Sequence, residues 1–286
     1  MKKYAVLSLD VEDWHHLDYF SSMEINCNYS MLDGLNNFLE IVDGHNIKTT
    51  LFTLSDMIPK VKGDLLSAIN SGHEVSSHGM SHKRPLTMSK SEFIQDAAYS
   101  KKNIEDALSV EVLGYRAPCF SINNALLEEL EKIGYKYDSS MIDFSSHPLY
   151  GGIDSSAFVE RMDNVFQKGG FTEFELPTTK LFKRNIPISG GGYLRIFPWQ
   201  VMKKLVSDYL LAHQTYFLYI HPFELSDITP LSVNKASLLH NFRFKYGQRR
   251  TPEKLKKLIK LLKSNGYEFV TFESLMKIQN SKIKNA

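Results

Sequence analysis

Short apolar runs rich in β-branched and aromatic residues alternate along this chain with stretches whose apolar positions recur every three to four residues. Tyr4-Ala-Val-Leu-Ser-Leu9 and Lys48-Thr-Thr-Leu-Phe-Thr-Leu54 read as strands. Between them, Leu32, Leu35, Phe38, Leu39 and Val42 fall on one face of a helix predicted over residues 31–42. Ser89-Lys-Ser-Glu92 matches a capping box, and the helix it opens runs on through Phe93, Ala97, Ile104 and Leu108. A further helix is predicted from Asn124 to Ile133, stopping at Gly134. The final helix is expected with Thr251 as N-cap, Pro252 at its first position and a stripe of Leu255, Leu258, Ile259 and Leu262, followed by a strand over residues 268–271. Such alternation is the signature of β/α units around a parallel sheet or barrel.

Between about 141 and 198 the pattern breaks into a stretch rich in Gly and Ser, including Ser189-Gly-Gly-Gly-Tyr193. A loop of that length inside a compact domain is functional or disordered. The 286 residues fit one α/β barrel or two smaller domains. No Pro-rich linker, low-complexity tract or repeat divides them, so a single domain over 1–286 is expected, with a long Gly-rich insertion at about 141–198.

A formal charge of +2 provides no electrostatic footprint for nucleic acid. Lys254, Lys256, Lys257, Lys260, Lys263, Lys277, Lys282 and Lys284 crowd the end of the chain and read as a solvated helix face and tail, with loose attraction to an acidic membrane or glycan as the sharper alternative. Cys27 and Cys119 lie too far apart in sequence to suggest a disulfide framework and suit a reducing compartment. Lys2 and Lys3 precede an apolar run too short for a signal-peptide core, and no run approaches a membrane span. A cytoplasmic protein is the expectation, and a homo-oligomer stays open.

The chemistry-bearing residues stand at predicted strand ends. Asp10, Glu12 and Asp13 close the first strand, and His78-Gly-Met-Ser-His82 places two imidazoles one helical turn apart after His73-Glu-Val-Ser-Ser77. Two histidines and a carboxylate are what a hydrolytic metal site needs, because the remaining coordination positions stay open for water and substrate, whereas the histidine pair taken alone reads equally as loop or helix-cap imidazoles. Arg116 and Pro118, Asp138, and His221 each follow a further strand-like run, and in α/β folds the carboxyl ends of strands are where ligands bind. For His221 taken alone a structural histidine is the better reading, and for Asp138 a turn or helix N-cap.

At these residues the chain resembles the NodB-like polysaccharide deacetylases, carbohydrate esterase family four. Ser8-Leu-Asp-Val-Glu-Asp-Trp14 stands for the family's T-F-D-D-G, His78-Gly-Met-Ser-His82 for H-S/T-x-x-H and Arg116-Ala-Pro118 for R-x-P; Tyr137-Asp138-Ser139-Ser140 and the strand ending at His221 complete the order. A branch associated with bacterial exopolysaccharide gene clusters is more similar still, through D-V-E-D-W, Gly190-Gly-Gly-Tyr-Leu-Arg195, His221-Pro-Phe-Glu224 and Asn241-Phe-Arg-Phe-Lys-Tyr-Gly247. The resemblance implies a distorted (β/α) barrel and a hydrolase that removes an N-acetyl or other N-acyl group from an amino sugar of a polysaccharide or its precursor. It also implies Asp10 as general base, paired with Arg116, and a divalent metal on His78, His82 and one carboxylate. Cys119 would offer its backbone N–H to the oxyanion, and His221 would be the general acid, oriented by Asp138. Val11 stands where the family has a second aspartate; strand alternation puts Asp10 and Glu12 on one face, so Glu12 is expected as the ligand, with Asp13 as rival.

The ligand set points first to zinc, and it also serves non-haem iron oxygenases. Deformylation, cyclic amide hydrolysis on the same fold and glycan binding without catalysis are the other readings. Tyr150, Tyr193, Phe197 and Trp199 are candidates for a sugar-stacking wall, although scattered aromatics more often belong to the core. The segment from Ser189 to Arg195 is expected to shape the sugar site or a subunit contact.

Overall fold

The computed structural model describes residues 2–20, 23, 28–144, 147–181, 184–233 and 236–284, so Cys27 lies outside the described residues. At the centre runs β1 (Lys3–Val11), flanked in parallel by β11 (Thr215–Ile220) and β2 (Thr50–Thr53). From β2 the sheet continues in parallel through β3 (Glu74–Ser77), β4 (Gly114–Tyr115), β5 (Tyr137–Ile142) and β8 (Phe171–Leu176). The antiparallel strands β7 (Val165–Lys168) and β6 (Val159–Met162) extend its far edge, and β12 (Tyr267–Phe269) pairs with the first residues of β1. A separate antiparallel pair joins β9 (Thr178–Leu181) to β10 (Arg184–Pro187). The helices are α1 (Asp33–Asp43), α2 (Ile58–Asn70), α3 (Lys90–Leu108), α4 (Asn124–Ile133), α5 (Gly191–Ile196), α6 (Trp199–Ala212), α7 (Leu238–Lys245), α8 (Thr251–Ser264) and α9 (Phe272–Lys284). The result is a mixed α/β fold, a sheet curled into a half-barrel with helices packed on it, as expected. No helix among the described residues is long and apolar enough to cross a membrane.

Strand alternation sorts β1 into two faces. Ala5, Leu7, Leu9 and Val11 pack with the helices, while Tyr4 and Val6 join Phe52, Tyr137, Phe174, Phe217, Tyr219 and Phe272 in the interior. Buried on both sides, the strand reads as a nearly continuous apolar run. The interior face then continues through Ser8 and Asp10, polar groups that cost free energy at such depth unless partnered. Phe272 opens α9 and plugs the other end of the barrel, with its ring 4.8 Å from that of Phe174 and its N–H donating to Thr50 Oγ1.

Local signals explain most element ends. Ser89 Oγ accepts from the Glu92 N–H and Glu92 Oε2 from the Ser89 N–H, completing the capping box of α3. Gly134 ends α4 at a φ of +111°.

Four expectations need correction. Thr251 is not an N-cap: it has helical angles after a 3-10 turn over Gln248–Arg250, and its hydroxyl donates back to the Gly247 carbonyl. Nor is α8 the last helix, since α9 follows it. Residues 141–198 hold β6 to β10 and α5, and β8 belongs to the main sheet; a buried acid, Glu173, within β8 masks its alternation. Lys254 is buried rather than solvated, its Nζ donating to the carbonyls of Leu194, Arg195 and Phe197.

Candidate active site

Asp10, Glu12, His78, His82, Cys119 and His221 line one pocket of about 110 Å³ at the mouth of the half-barrel, together with Asp18, His147 and Tyr150. Asp10 lies within β1 and not after it. Its Oδ1 accepts from Arg116 Nη1 at 2.6 Å, and its Oδ2 faces His221 Nε2 at 3.9 Å. Arg116 is fully buried, held further by Ser8 Oγ, the Ser139 carbonyl and the Phe52 ring 4.0 Å away.

Glu12, His78 and His82 form the group that could hold a metal ion among the described residues, with their ligand atoms all within 4.8 Å of one another. Glu12 Oε2 sits 2.9 Å from His82 Nε2 yet is a buried oxygen without a hydrogen-bond donor, which fits a carboxylate aimed at a cation. Burial would raise the Glu12 pKa, but the adjacent His82, by charge and hydrogen bonding, and then the charge of His221 outweigh it and hold the carboxyl well below its usual range. His78 Nδ1 meets the Arg116 carbonyl at 2.8 Å, leaving Nε2 to the pocket, and burial pushes its pKa down to about 4. A neutral imidazole held through its second nitrogen is the form in which histidine binds a metal. The residues therefore fit a divalent ion. Asp13 stands outside this group: its Oδ1 accepts from the N–H groups of Trp14 and Met31, each at 2.9 Å, and so caps the turn after β1.

His221 follows β11 and lines the same pocket. Its Nδ1 faces Glu224 Oε2 at 3.3 Å and its Nε2 lies 3.6 Å from Glu12 Oε1. Burial would lower its pKa, but the hydrogen bond to Glu224 and the charges of Glu12, Glu224 and Asp10 raise it to about 9. Asp138 does not orient His221. Its neighbour Tyr137 fills the barrel interior, so alternation turns Asp138 to the other face, in register with Glu173 on β8. There its Oδ1 accepts from Ser140 Oγ, and burial raises its pKa to about 7.

Cys119 has a φ of +53° and its thiol pKa is pushed up by burial, which suits it to a backbone contribution and not to nucleophilic attack. Of the expected aromatic wall only Tyr150 lines this pocket; Phe197 and Trp199 line a separate cavity, and Tyr193 packs near Phe197. Sequence reasoning missed His147 and His16, whose ring lies 6.4 Å from that of His82, and it gave Glu224 no role. For Glu224 a signal existed: three residues after His221 is the spacing of a capping pair.

Residues 28–137 match the polysaccharide deacetylase family model, and residues 139–277 match a domain of unknown function, DUF3473. Residues 28–137 are thus similar to a polysaccharide deacetylase domain. His78, His82 and Arg116 fall in the first match and His221 in the second, while Asp10 and Glu12 precede both. A peptidoglycan deacetylase of Helicobacter pylori is 28% identical over 123 residues, 43% of this chain and 42% of that protein, so the matched region spans less than half of that relative. The fold matches the crystal structure of a Mycobacterium smegmatis protein assigned to the polysaccharide deacetylases, with a TM-score of 0.62 at 15% identity over 99% of this chain and 92% of that one. It also matches a pseudoenzyme of carbohydrate esterase family four from Bacillus anthracis, with a TM-score of 0.55 at 15% identity over 96% and 66%.

Proposed function

We propose that this chain is a divalent-metal-dependent hydrolase that removes an N-acetyl group from an amino sugar of a polysaccharide or its precursor. The observation that carries this reading is the meeting, in one pocket, of the Glu12–His78–His82 group with a carboxylate, Asp10, and an imidazole, His221. In this reading Glu12, His78 and His82 hold the ion, with zinc the first choice for a set of two imidazoles and one carboxylate. When bound, the ion polarises the acyl carbonyl and makes a nearby water more acidic.

The chain's own residues do the rest. Asp10 is kept in place by Arg116 through Oδ1, so Oδ2 is the oxygen free to take a proton from the attacking water. The backbone N–H of Cys119 faces the developing oxyanion. His221 donates a proton from Nε2 to the amide nitrogen, which leaves poorly as an anion. Tyr150 supplies an apolar ring at the pocket wall for a sugar face.

Zinc-loaded protein incubated with a panel of N-acetylated oligosaccharides and sugar nucleotides is expected to release acetate from at least one of them. Binding without amine or acetate release across the panel would leave a sugar-binding module and refute the hydrolase.

A further inference from the structure

The segments Gly190 to Arg195, His221 to Glu224 and Asn241 to Gly247 are distant in sequence but meet behind the end of β11. Arg195 and Glu224 have side chains only 3% and 1% exposed, and Arg195 Nε donates to Glu224 Oε1 at 3.2 Å. A second donor of Arg195, Nη1, is tied to the Tyr246 carbonyl, and its guanidinium lies 5.4 Å from the centre of the Phe223 ring. Glu224 Oε2 accepts from the His221 backbone N–H at 3.2 Å and faces His221 Nδ1 at 3.3 Å. An added Cβ at Gly191 would fall 1.9 Å from that same Oε2, whereas one at Gly192 would lie 4.0 Å from Oε1.

A buried arginine–glutamate pair adds little net stability, because the cost of desolvating two charges offsets most of their attraction. What the pair does achieve is direction. With one oxygen locked on Arg195, the other has a single orientation left, and it points at His221.

We propose that Glu224, Arg195 and Gly191 form a positioning unit for His221. Glu224 accepts from Nδ1–H and so turns Nε2 to the pocket, Arg195 fixes Glu224, and Gly191 is bare of a side chain so that the carboxylate fits. The proposal rests on the reading of His221 as the acid of an N-deacetylase. In that step the proton on Nε2 passes to the amide nitrogen as the C–N bond breaks, the bonding pair stays on nitrogen, and a neutral imidazole remains with Nδ1–H still held by Glu224. Amine departure needs that proton. Departure of a nitrophenolate does not, so loss of the positioning unit should separate the two leaving groups.

The test uses the full zinc-loaded chain with an N-acetylglucosamine oligosaccharide and with 4-nitrophenyl acetate. Gly191→Ala is expected to lower kcat on the amide about 10- to 100-fold, with KM and bound zinc unchanged and kcat on the ester within about threefold. Gly192→Ala should leave both activities at the wild-type level. Glu224→Gln keeps the shape of the side chain and should repeat the split if Gly191→Ala fails to fold. Equal losses on amide and ester, or full amide activity in both Gly191→Ala and Glu224→Gln, would overturn the positioning role alone. Wild-type protein that hydrolyses the ester and no amide would overturn the deacetylase reading, and this proposal with it.

Discussion

His78 and His221 line one pocket, and their second nitrogens have opposite partners. His78 Nδ1 meets a neutral backbone carbonyl, that of Arg116, and burial takes its pKa down to about 4. His221 Nδ1 meets the Glu224 carboxylate, and despite burial its pKa rises to about 9. Burial alone would make both neutral. The partner decides which imidazole can donate lone pairs to a cation and which can carry a proton to a leaving group. One imidazole of the pocket is therefore suited to holding metal and the other to acid chemistry.

Removing the groups that act directly should break this division most severely. His221→Ala and Asp10→Asn are each expected to lower amide turnover by about two to four orders of magnitude, measured as acetate release, while bound zinc stays near the wild-type level. His78→Ala should do the reverse, losing zinc from the purified protein and activity with it, as metal analysis would reveal. Retention of a full complement of zinc in His78→Ala would disqualify the metal-holding imidazole.

A gentler change alters the charge state of the acid and leaves its position on the chain. General-acid activity requires protonated His221, so it persists below a pKa of about 9 and falls as pH rises through that value. Glu224→Gln removes both the charge-assisted bond and the charge, which lowers the imidazole pKa, and the basic limb of the kcat/KM profile should move to lower pH. An unmoved basic limb would separate that limb from His221. The smallest effect is expected at Asp138, the residue that the family resemblance placed beside the acid. Asp138→Asn should keep amide turnover within about threefold of wild type, because groups that share no partner act independently. A loss as large as that of Glu224→Gln would restore Asp138 to the role.

Which parts of this arrangement were legible in the sequence follows from how local their causes are. The capping box of α3 and the stop of α4 at Gly134 are written in a few adjacent residues, and they stand where the pattern placed them. Asp10, Glu12, His78 and His82 are also marked locally, by strand ends and a four-residue spacing, and they share one pocket. The three-residue spacing marks Glu224 as a neighbour of His221, but the orientation of its carboxylate was not legible, because it depends on Arg195 and on the empty space at Gly191, both on another element. The same is true of Asp138, whose face is set by Tyr137 filling the interior and by a register with Glu173. The strands between 141 and 198 were hidden for a different reason. β6 is largely exposed and β8 buries an acid, so neither displays the polar and apolar alternation by which strands are recognised.

The most direct test of a metal hydrolase at this pocket is a zinc titration of chelator-stripped protein, following bound zinc and acetate release together on the best substrate of the panel. One zinc per chain is expected, with activity rising in proportion to it and absent from Glu12→Ala. Full acetate release by stripped protein, unchanged on adding zinc, would contradict the assignment of Glu12, His78 and His82.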